Sequence, residues 1–418
     1  MDHGTSSLVL GPIRGSERIQ SLDVMRGVAV LGILVMNIQC FAMIMTAYIN
    51  PTAYGSLEGV NGWIWYLGHL FADMKFMTIF SMLFGAGVVV MTSRREAAGK
   101  GSAGLHYRRM GWLLLLGLLH AHLLWYGDIL YSYAMCGFVL YLFRKMPPWL
   151  LITLGLVSTS VAFGFGVFSG IALTNGWMPV EAIAGDWNPP ADVIQAEVDA
   201  YRGSWRDQMG HRTTAAVFFQ TFIFLIGIAW RAGGMMLIGM AMYKLGVFSA
   251  ARSRRFYLGL VAVAALVGIP AIMYGVHRNE AADWSLKYSF FFGPQLNYWA
   301  SILVALGWVG VVMLACKSEV IRPFTRPFAA VGQMALTNYL MQTLLCTFIF
   351  YGHGLGQFGM FERWQQLLVV VTVWTLQLVL SPIWLRHFRF GPAEWLWRSL
   401  SYMQLQPMRR NHSEGSST

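Results

Sequence analysis

The first apolar run of the chain covers residues 24–45 and reads VMRGVAVLGILVMNIQCFAMIM. A helix needs about 20 mostly apolar residues to cross a bilayer, and this run is long enough. Further apolar runs follow along the chain. In lipid, backbone polar groups must be paired within the segment, so such runs predict α-helices. The predicted fold class is therefore all-α, a polytopic integral membrane helical bundle.

The composition supports the same class. Of the 418 residues, 56% are hydrophobic and 12% are charged, and the net charge is +11. A soluble domain averages about 25% charged residues. The Lys and Arg side chains lie in short connectors between apolar runs, which is typical of segments that face anionic lipid. No basic stripe with interleaved aromatic residues is present, so nucleic acid is excluded as a partner and the lipid bilayer is expected.

Lysine and arginine counts orient the predicted helices. Connectors on one side hold 20 of these residues and those on the other side hold six. The positive side is expected to be cytoplasmic, which places both termini in the cytoplasm. The expected localisation is the bacterial plasma (inner) membrane, as a multi-pass protein. The ten predicted spans are 24–45, 63–91, 110–126, 129–143, 149–172, 214–247, 256–276, 290–315, 328–351 and 364–385.

The span at 214–247 is too long for one ordinary helix. It joins a loop rich in Asp and Glu to a connector rich in Arg, so an odd number of crossings is required. We predict one helix that is strongly tilted or broken at Arg231-Ala232-Gly233-Gly234. The chain then divides into five parts. They are a cytoplasmic segment (1–21), a membrane bundle with a polar site (22–172), an external loop (173–213), a second bundle ending in an interfacial helix (214–402) and a disordered tail (403–418).

Ionisable and amide side chains interrupt the first three runs. Asp23 and Arg26 are three residues apart at the start of the first run, and Asn37 lies eleven residues further on. Charged side chains at membrane depth are costly and usually face a protein interior or a water-filled cavity. The alternative for Asp23 and Arg26 is an ion pair, or an N-cap formed by Asp23 beside a snorkelling Arg. The alternative for Asn37 is an interhelical hydrogen bond.

The second and third runs carry further polar residues. Asp73 and Lys75 follow His69 in the second run, while His120 lies in the third run and Asp128 follows directly after it. A neutral imidazole is a suitable general base near neutral pH, and a carboxylate can orient it. Capping of the next helix is the alternative role for Asp128. A purely structural charge network with Arg231 or Asp128 is the alternative for Asp73 and Lys75.

The predicted topology places five of these polar residues at similar depth in the outer half of the membrane: Asn37, Asp73, Lys75, His120 and Asp128. Agreement in depth predicts a single site. No HExxH motif or Cys cluster is present, so no metal is expected. The predicted catalytic set is His120, Asn37, Asp128, Lys75 and Asp73.

Several motifs together resemble those of bacterial YeiB-like membrane proteins, whose C-terminal half carries a domain-of-unknown-function label. The resemblance runs from about residue 18 to 402. The matching stretches are SLDVMRGVAVLGILVMN at 21–37, KF at 75–76, FSMLFG at 80–85, GLLHA at 117–121, GDIL at 127–130, ALTNYLMQ at 335–342 and FGPAEWLWR at 390–398.

The N-terminal part of such proteins is similar to heparan-α-glucosaminide N-acetyltransferase and wider transmembrane acyltransferases. The resemblance implies a helical bundle with a central acyl channel and an acyl-CoA co-substrate, with acetyl-CoA the expected donor. In those relatives an Asn late in the first span belongs to the site, and Asn37 matches it by position. The His that follows that Asn has no counterpart here before His69, and we infer that His120 substitutes for it.

The leading hypothesis is therefore a membrane-embedded acyltransferase that serves an unknown exoplasmic hydroxyl or amine acceptor. Asn338 and Gln342 share a helical face and, with Asp23, are expected to line the substrate cavity. A transporter that uses buried charges and a non-enzymatic scaffold are the alternatives, and a homodimer is left open. The residues expected to bind the diphosphate of acyl-CoA are Arg26, Arg94, Arg95, Arg108 and Arg109.

Overall fold

The structure, a computed structural model, describes residues 19–410. The predicted cytoplasmic segment up to residue 18 and the predicted tail from 411 lie outside the described residues. The helices in chain order are α1 (Gln20–Ala42), α2 (Thr46–Ile49), α3 (Val60–Phe71), α4 (Lys75–Ala97), α5 (Ala103–Leu123), α6 (Leu130–Leu140), α7 (Pro148–Thr174), α8 (Glu181–Trp187), α9 (Ala191–Arg202), α10 (Gln208–Phe218), α11 (Ala229–Lys244), α12 (Arg254–Val263), α13 (Ile269–Ala281), α14 (Leu286–Ser289), α15 (Gln295–Lys317), α16 (Arg326–Gln333), α17 (Ala335–Phe350), α18 (Arg363–His387) and α19 (Pro392–Tyr402).

This architecture confirms the predicted all-α membrane bundle. Within residues 19–410, seven helical stretches are long and apolar enough to cross a membrane. Two shorter apolar helices, Leu130–Phe143 and Ala335–Phe350, accompany them. Every predicted span lies mostly in helix, but short breaks interrupt the second span at 72–74 and the ninth at Met334. The count of ten crossings and the cytoplasmic position of both termini stay predictions.

The second predicted span is broken rather than continuous. Helix α3 ends at Phe71 and α4 begins at Lys75, and Met74 between them has a left-handed φ of 62°. Such a conformation costs a residue with a side chain roughly 1–2 kcal/mol and persists only where neighbouring contacts impose it. The break places Asp73 and Lys75 at a helix junction inside the bundle.

The long span at 214–247 is one helical stretch, Gln208–Lys244, as the charge pattern predicts. The predicted break at Arg231-Ala232-Gly233-Gly234 is wrong, because α11 is regular there and the distortion is a π-helical segment at Phe219–Ile228. Gly234 lies against Gly155 of α7, so a glycine on each helix allows close packing rather than a break. This is the usual role of small residues between membrane helices.

The connectors segregate to two ends of the bundle, which we name after the predicted topology. At the inner end, Arg108 Nε donates to the Ser401 carbonyl and Arg144 pairs with Glu96. At the outer end, Asn50 Nδ2 donates to the Trp187 carbonyl, and Asn61 Nδ2 donates to Glu362. In these contacts, connectors predicted to be cytoplasmic contact only one another at one end of the bundle. Connectors predicted to be external contact only one another at the other end.

Residues 403–410 do not form the disordered tail that their polarity predicts. Arg389 N donates to the Met408 carbonyl, and Trp395 Nε1 donates to the Gln406 carbonyl. These hydrogen bonds tie the segment to the end of α18 and to α19. The prediction is wrong for these residues because polar composition does not reveal partners supplied by distant helices.

We predict that a side chain at Gly27 destabilises the bundle. A Cβ there would collide with the Phe328 carbonyl where α1 packs on α16. Overpacking of this kind costs about 1–3 kcal/mol. Thermal unfolding of Gly27→Ala in detergent should show a lower Tm than wild type. Gly104→Ala, in α5 with open space around it, is the control and should be neutral or stabilising. Equal Tm values for the two variants would contradict this packing.

Candidate functional site

A large cavity of about 590 Å³ lies in the interior and opens at the inner end. Residues of α1, α4, α5, α6, α16, α17 and α19 line it. Phe80 and Arg95 both contribute to its wall from α4. Fifteen residues of helix separate them, so the cavity extends roughly 22 Å along the helix axis. We call it the inner cavity.

A group of arginines lines the wide, polar part of the inner cavity. Four of the five arginines predicted to bind phosphate are there: Arg26, Arg94, Arg95 and Arg109. The prediction for Arg108 is wrong, since its guanidinium is exposed and donates to the Ser401 carbonyl at 3.0 Å. Arg108 is not among the residues that line the inner cavity, whereas its neighbour Arg109 is.

One cavity arginine was missed by sequence reasoning. Arg398 of α19 lines the inner cavity and lies over the Phe390 ring. The motif at 390–398 indicated only an amphipathic anchor. The helix does lie at the inner end, but its Trp397 packs under Arg109 at 4.1 Å and so closes the cavity wall. An anchor helix therefore also completes the cavity.

Two carboxylates in the wall, those of Asp23 and Glu394, neutralise part of the positive charge of the arginines. Asp23 lines the cavity as predicted and pairs with Arg26 at 3.0 Å. Glu394 of α19 accepts hydrogen bonds from Leu336 N at 2.6 Å and Thr337 N at 3.1 Å, at the start of α17. Burial raises the pKa of the Glu394 carboxyl from its ordinary value, although the Thr337 bonds oppose this. The inner cavity therefore keeps a net positive charge and attracts anions.

Beyond the arginines the wall becomes apolar and aromatic. Ile33, Phe80, Leu83 and Phe84 line this part, and Tyr339 lies at its far end. A cavity with an arginine-rich opening and an apolar interior suits an amphipathic ligand whose anionic head lies near the inner end.

A histidine, His106, lies in the wall of the inner cavity. His106 is buried, and its Nε2 lies 2.8 Å from the Gly137 carbonyl. Nε2 must donate to that oxygen, so Nδ1 is the unprotonated nitrogen, and it has no hydrogen-bond partner. Sequence reasoning did not single out His106 as a site residue. A ligand with an N–H or O–H group would find an acceptor here.

The predicted His120–Asp128 pair is present. His120 Nδ1 lies 2.8 Å from Asp128 Oδ1, and both side chains are 1% exposed. Asp128 Oδ2 also accepts from Tyr131 N at 2.7 Å, so the carboxylate both orients the imidazole and caps α6. His120 Nε2 lies 3.0 Å from Thr343 Oγ1. With Nδ1 protonated toward Asp128, Nε2 is the basic nitrogen.

Tyr339 separates His120 from the inner cavity. The phenol ring packs against the imidazole with ring centres 5.2 Å apart, and its hydroxyl accepts from Ile129 N. His120 therefore lies directly behind the far wall of the cavity rather than in its lining.

Asp73 and Lys75 form a second cluster. Asp73 accepts from Tyr48 OH at 2.6 Å and from Asn297 Nδ2 at 3.0 Å, and pairs with His69 Nδ1 at 3.1 Å. Lys75 Nζ donates to Asn297 Oδ1 at 2.7 Å and to the His69 carbonyl. This cluster bridges α3, α4 and α15, and Tyr48 joins it from α2. Arg231 instead bonds Thr78, Ser301 and the Tyr298 carbonyl.

The prediction of one site that contains all these groups is therefore corrected. Helix α1 packs against α4 and α15 on one flank and against α17 on another, between the two clusters. Among residues 19–410, no hydrogen bond or ion pair joins His120 or Asp128 to Asp73 or Lys75. Depth along the membrane is one coordinate only, and residues at equal depth can lie on different flanks of a helix.

The remaining predicted residues lie on or near α1 and α17. Asn37 is half-buried on α1 and lines neither the inner cavity nor its wall at Tyr339. Asn338 donates to the Val331 carbonyl and to Ser381, and Gln342 donates to the Val30 carbonyl and Gln377. The expected cavity-lining role of Asn338 and Gln342 is wrong in this structure, since both amides are used in hydrogen bonds between helices.

The chain is similar to known proteins over almost its whole length. It is 34% identical to the uncharacterized protein YeiB of Escherichia coli (strain K12), over 94% of this chain and 98% of that protein. It is 34% identical to the uncharacterized protein YxaH of Bacillus subtilis (strain 168), over 96% and 98%. An uncharacterized 39.9 kDa protein from the amylase 3′ region of Bacillus acidopullulyticus is 25% identical over 96% and 98%. A family model described as "Protein of unknown function (DUF418)" matches residues 242–404.

Glu394 is predicted to hold α19 against α17. Removal of its carboxylate leaves the buried N–H groups of Leu336 and Thr337 without partners, at a cost of about 2–3 kcal/mol. Glu394→Ala should therefore lower the Tm clearly, and Glu394→Gln, which keeps one acceptor, should lower it less. Glu280→Ala, at an exposed position in α13, is the control. A wild-type Tm for Glu394→Ala would refute the capping role.

Proposed function

The chain belongs to the YeiB-like family of bacterial membrane proteins, and we propose that it is a membrane-embedded acyltransferase. The proposed donor is acyl-CoA, with acetyl-CoA the first choice. The proposed acceptor is a hydroxyl or amine on the exoplasmic side of the bacterial inner membrane. The observation that carries the proposal is the inner cavity, which joins an arginine cluster to an apolar interior that ends beside a histidine–carboxylate pair.

The arginine cluster supports binding of the CoA head group. CoA carries several phosphate charges, and Arg is the side chain best suited to phosphate because it is always charged and donates in a fork. Arg94 and Arg95 come from the end of α4, Arg109 from α5 and Arg398 from α19. Arginines from three helices can contact several phosphate oxygens at once.

The length of the cavity supports a path for the pantetheine arm and thioester. The arm would extend from the arginines past Phe84 and Leu83 toward Tyr339. Its amide N–H groups could donate to His106 Nδ1, which has no protein partner. A cavity of about 590 Å³ is also within the usual range for small-molecule sites, roughly 300–1,000 Å³.

His120 is the proposed general base. Its Nε2 would take the proton of the acceptor O–H or N–H while the acceptor atom attacks the thioester carbon. The tetrahedral intermediate would then collapse, with loss of the CoA thiolate, which takes the proton from the imidazolium. The products are the acylated acceptor and free CoA–SH. Asp128 would hold the Nδ1–H tautomer and stabilise the imidazolium.

An oxyanion donor is also required. Lys75 is engaged by Asn297 and the His69 carbonyl in the other cluster, which makes it a poorer choice than the sequence suggests. Asn37, the donor expected from the sequence, does not line the inner cavity and is a poorer choice as well. Tyr339 is the proposed donor instead, because it lines the cavity and its hydroxyl accepts from Ile129 N and keeps its own hydrogen for donation. For His120 to reach the thioester, the Tyr339 side chain must turn away from the imidazole.

The arginine assignment predicts a sharp contrast between neighbours. Arg109→Gln should weaken acetyl-CoA binding by at least about tenfold, since loss of one charge-assisted hydrogen bond costs about 1.5–3 kcal/mol. Arg108→Gln should bind like wild type, because Arg108 faces away from the inner cavity. Calorimetry on the detergent-purified proteins measures both. Equal loss in the two variants would remove the cavity from the binding site, and no binding by the wild type to any acyl-CoA would favour the transporter alternative.

The base assignment predicts loss of turnover without loss of binding. His120→Ala should keep its affinity for acetyl-CoA but release no free CoA thiol above background in membrane vesicles that contain native acceptors. His122→Ala is the matched control, because that imidazole faces Gln220 instead and should leave turnover unchanged. Wild-type thiol release by His120→Ala would exclude His120 from the mechanism.

A further inference from the structure

A second, smaller pocket lies at the outer end of the bundle. It is enclosed by α1, α3 and the start of α18 and has a volume of about 50 Å³. We call it the outer pocket. None of the residues that line it lines the inner cavity. The polar and aromatic side chains in its wall are Gln39, Tyr48, Trp65, His69, Asp73, Arg363 and Gln366.

Three polar atoms of this wall are buried without a hydrogen-bond partner. They are Gln39 Oε1, Gln366 Oε1 and Arg363 Nε. Gln366 is 1% exposed and Arg363 is 2% exposed. Buried polar groups are normally paired, and an orphan left by the protein itself costs about 1–3 kcal/mol. Three orphans from three side chains around one pocket therefore indicate that something in the pocket pairs with them.

The neighbouring hydrogen bonds show which polar atoms of Gln366 and Arg363 the fold leaves unused. Gln366 Nε2 donates to the Phe361 carbonyl at 3.0 Å, which assigns its oxygen to the orphan position. The two terminal nitrogens of Arg363 donate to the carbonyls of Pro51, Tyr54 and Ser56. These bonds use three of the five N–H groups of the guanidinium, and Nε is the nitrogen that makes no hydrogen bond. The wall of the outer pocket thus contains two amide oxygens and a guanidinium N–H that the fold does not use.

This mixture of donors and acceptors selects the ligand chemistry. An ammonium group could donate to the two amide oxygens but could not accept from Arg363 Nε. A carboxylate or phosphate could accept from Arg363 but would face two oxygen lone pairs from Gln39 and Gln366. A hydroxyl group both donates and accepts, so it can satisfy all three atoms.

The other walls suit a hydroxyl-bearing carbon skeleton. The Trp65 ring stacks on His69 with centres 5.3 Å apart and offers an apolar wall to C–H groups. Asp73, fixed by Tyr48 and His69, adds a carboxylate that accepts further hydroxyl hydrogens. One water needs roughly 10–15 Å³ of such volume, so about 50 Å³ accommodates a hydroxymethyl group rather than a whole sugar.

We infer that the outer pocket is a binding site for the hydroxymethyl end of a small polyol or sugar that arrives from the outer side of the membrane. The site goes beyond the proposed acyl transfer, because its recognition needs no acyl-CoA. It also gives the Asp73 cluster a role separate from that of His120.

The test is equilibrium binding of radiolabelled glucose and glycerol to the full-length protein in lipid nanodiscs, without acyl-CoA. Wild type should bind at least one of them saturably. Gln39→Leu should weaken that binding at least fivefold with an unchanged ligand-free Tm, because the Gln39 oxygen has no protein partner to lose. Gln366→Leu should weaken it similarly. Gln195→Leu, at an exposed position of α9, is the control and should bind like wild type.

Three outcomes overturn the inference. One is the absence of saturable binding of both probes, which means that the pocket holds water only. Another is wild-type affinity in both Gln39→Leu and Gln366→Leu. The third is thermal stabilisation by methylammonium or acetate equal to that by glucose, which would contradict the hydroxyl class. Acyl-CoA is absent from the assay, so none of these outcomes bears on the proposed acyl transfer.

Discussion

The close approach of α1 to its neighbours is the constraint on which the rest of the bundle depends. Gly27 lets α1 contact the backbone of α16, and Gly32 makes room for the Phe76 ring of α4. Residues of α1 belong to several of the separate hydrophobic clusters of the interior. Because membrane helices associate through close packing rather than hydrophobic exclusion, these glycines determine where the other helices can lie.

The position of α1 also divides the polar chemistry of the interior. Its inner end contributes Asp23 and Arg26 to the inner cavity, and its outer part contributes Gln39 to the outer pocket. The His120–Asp128 pair lies toward α17 and the Asp73 cluster toward α15. One helix thus separates an anion-binding cavity from a pocket that suits hydroxyl groups.

Features of the fold and of the candidate site that depend on depth in the membrane or on local residue spacing could be predicted from the sequence. Apolar length predicts the helices, charge asymmetry places Arg94, Arg95 and Arg109 together, and the motif around His120 predicts its pairing with Asp128. The spacing of residues along a helix does not by itself determine which neighbouring helix each face of that helix contacts. For that reason the single-site prediction was wrong, Arg398 and His106 were missed, and Asn338 and Gln342 were assigned to a cavity they do not line.

The central claim is that the inner cavity binds acyl-CoA with its thioester beside Tyr339. The most direct measurement is an electron cryomicroscopy structure of the protein at saturating acetyl-CoA. We expect phosphate density within hydrogen-bond distance of Arg94 and Arg109, and the acetyl group against a Tyr339 side chain that has turned away from His120. Coenzyme density outside the inner cavity, or an empty cavity at saturation, would contradict the claim.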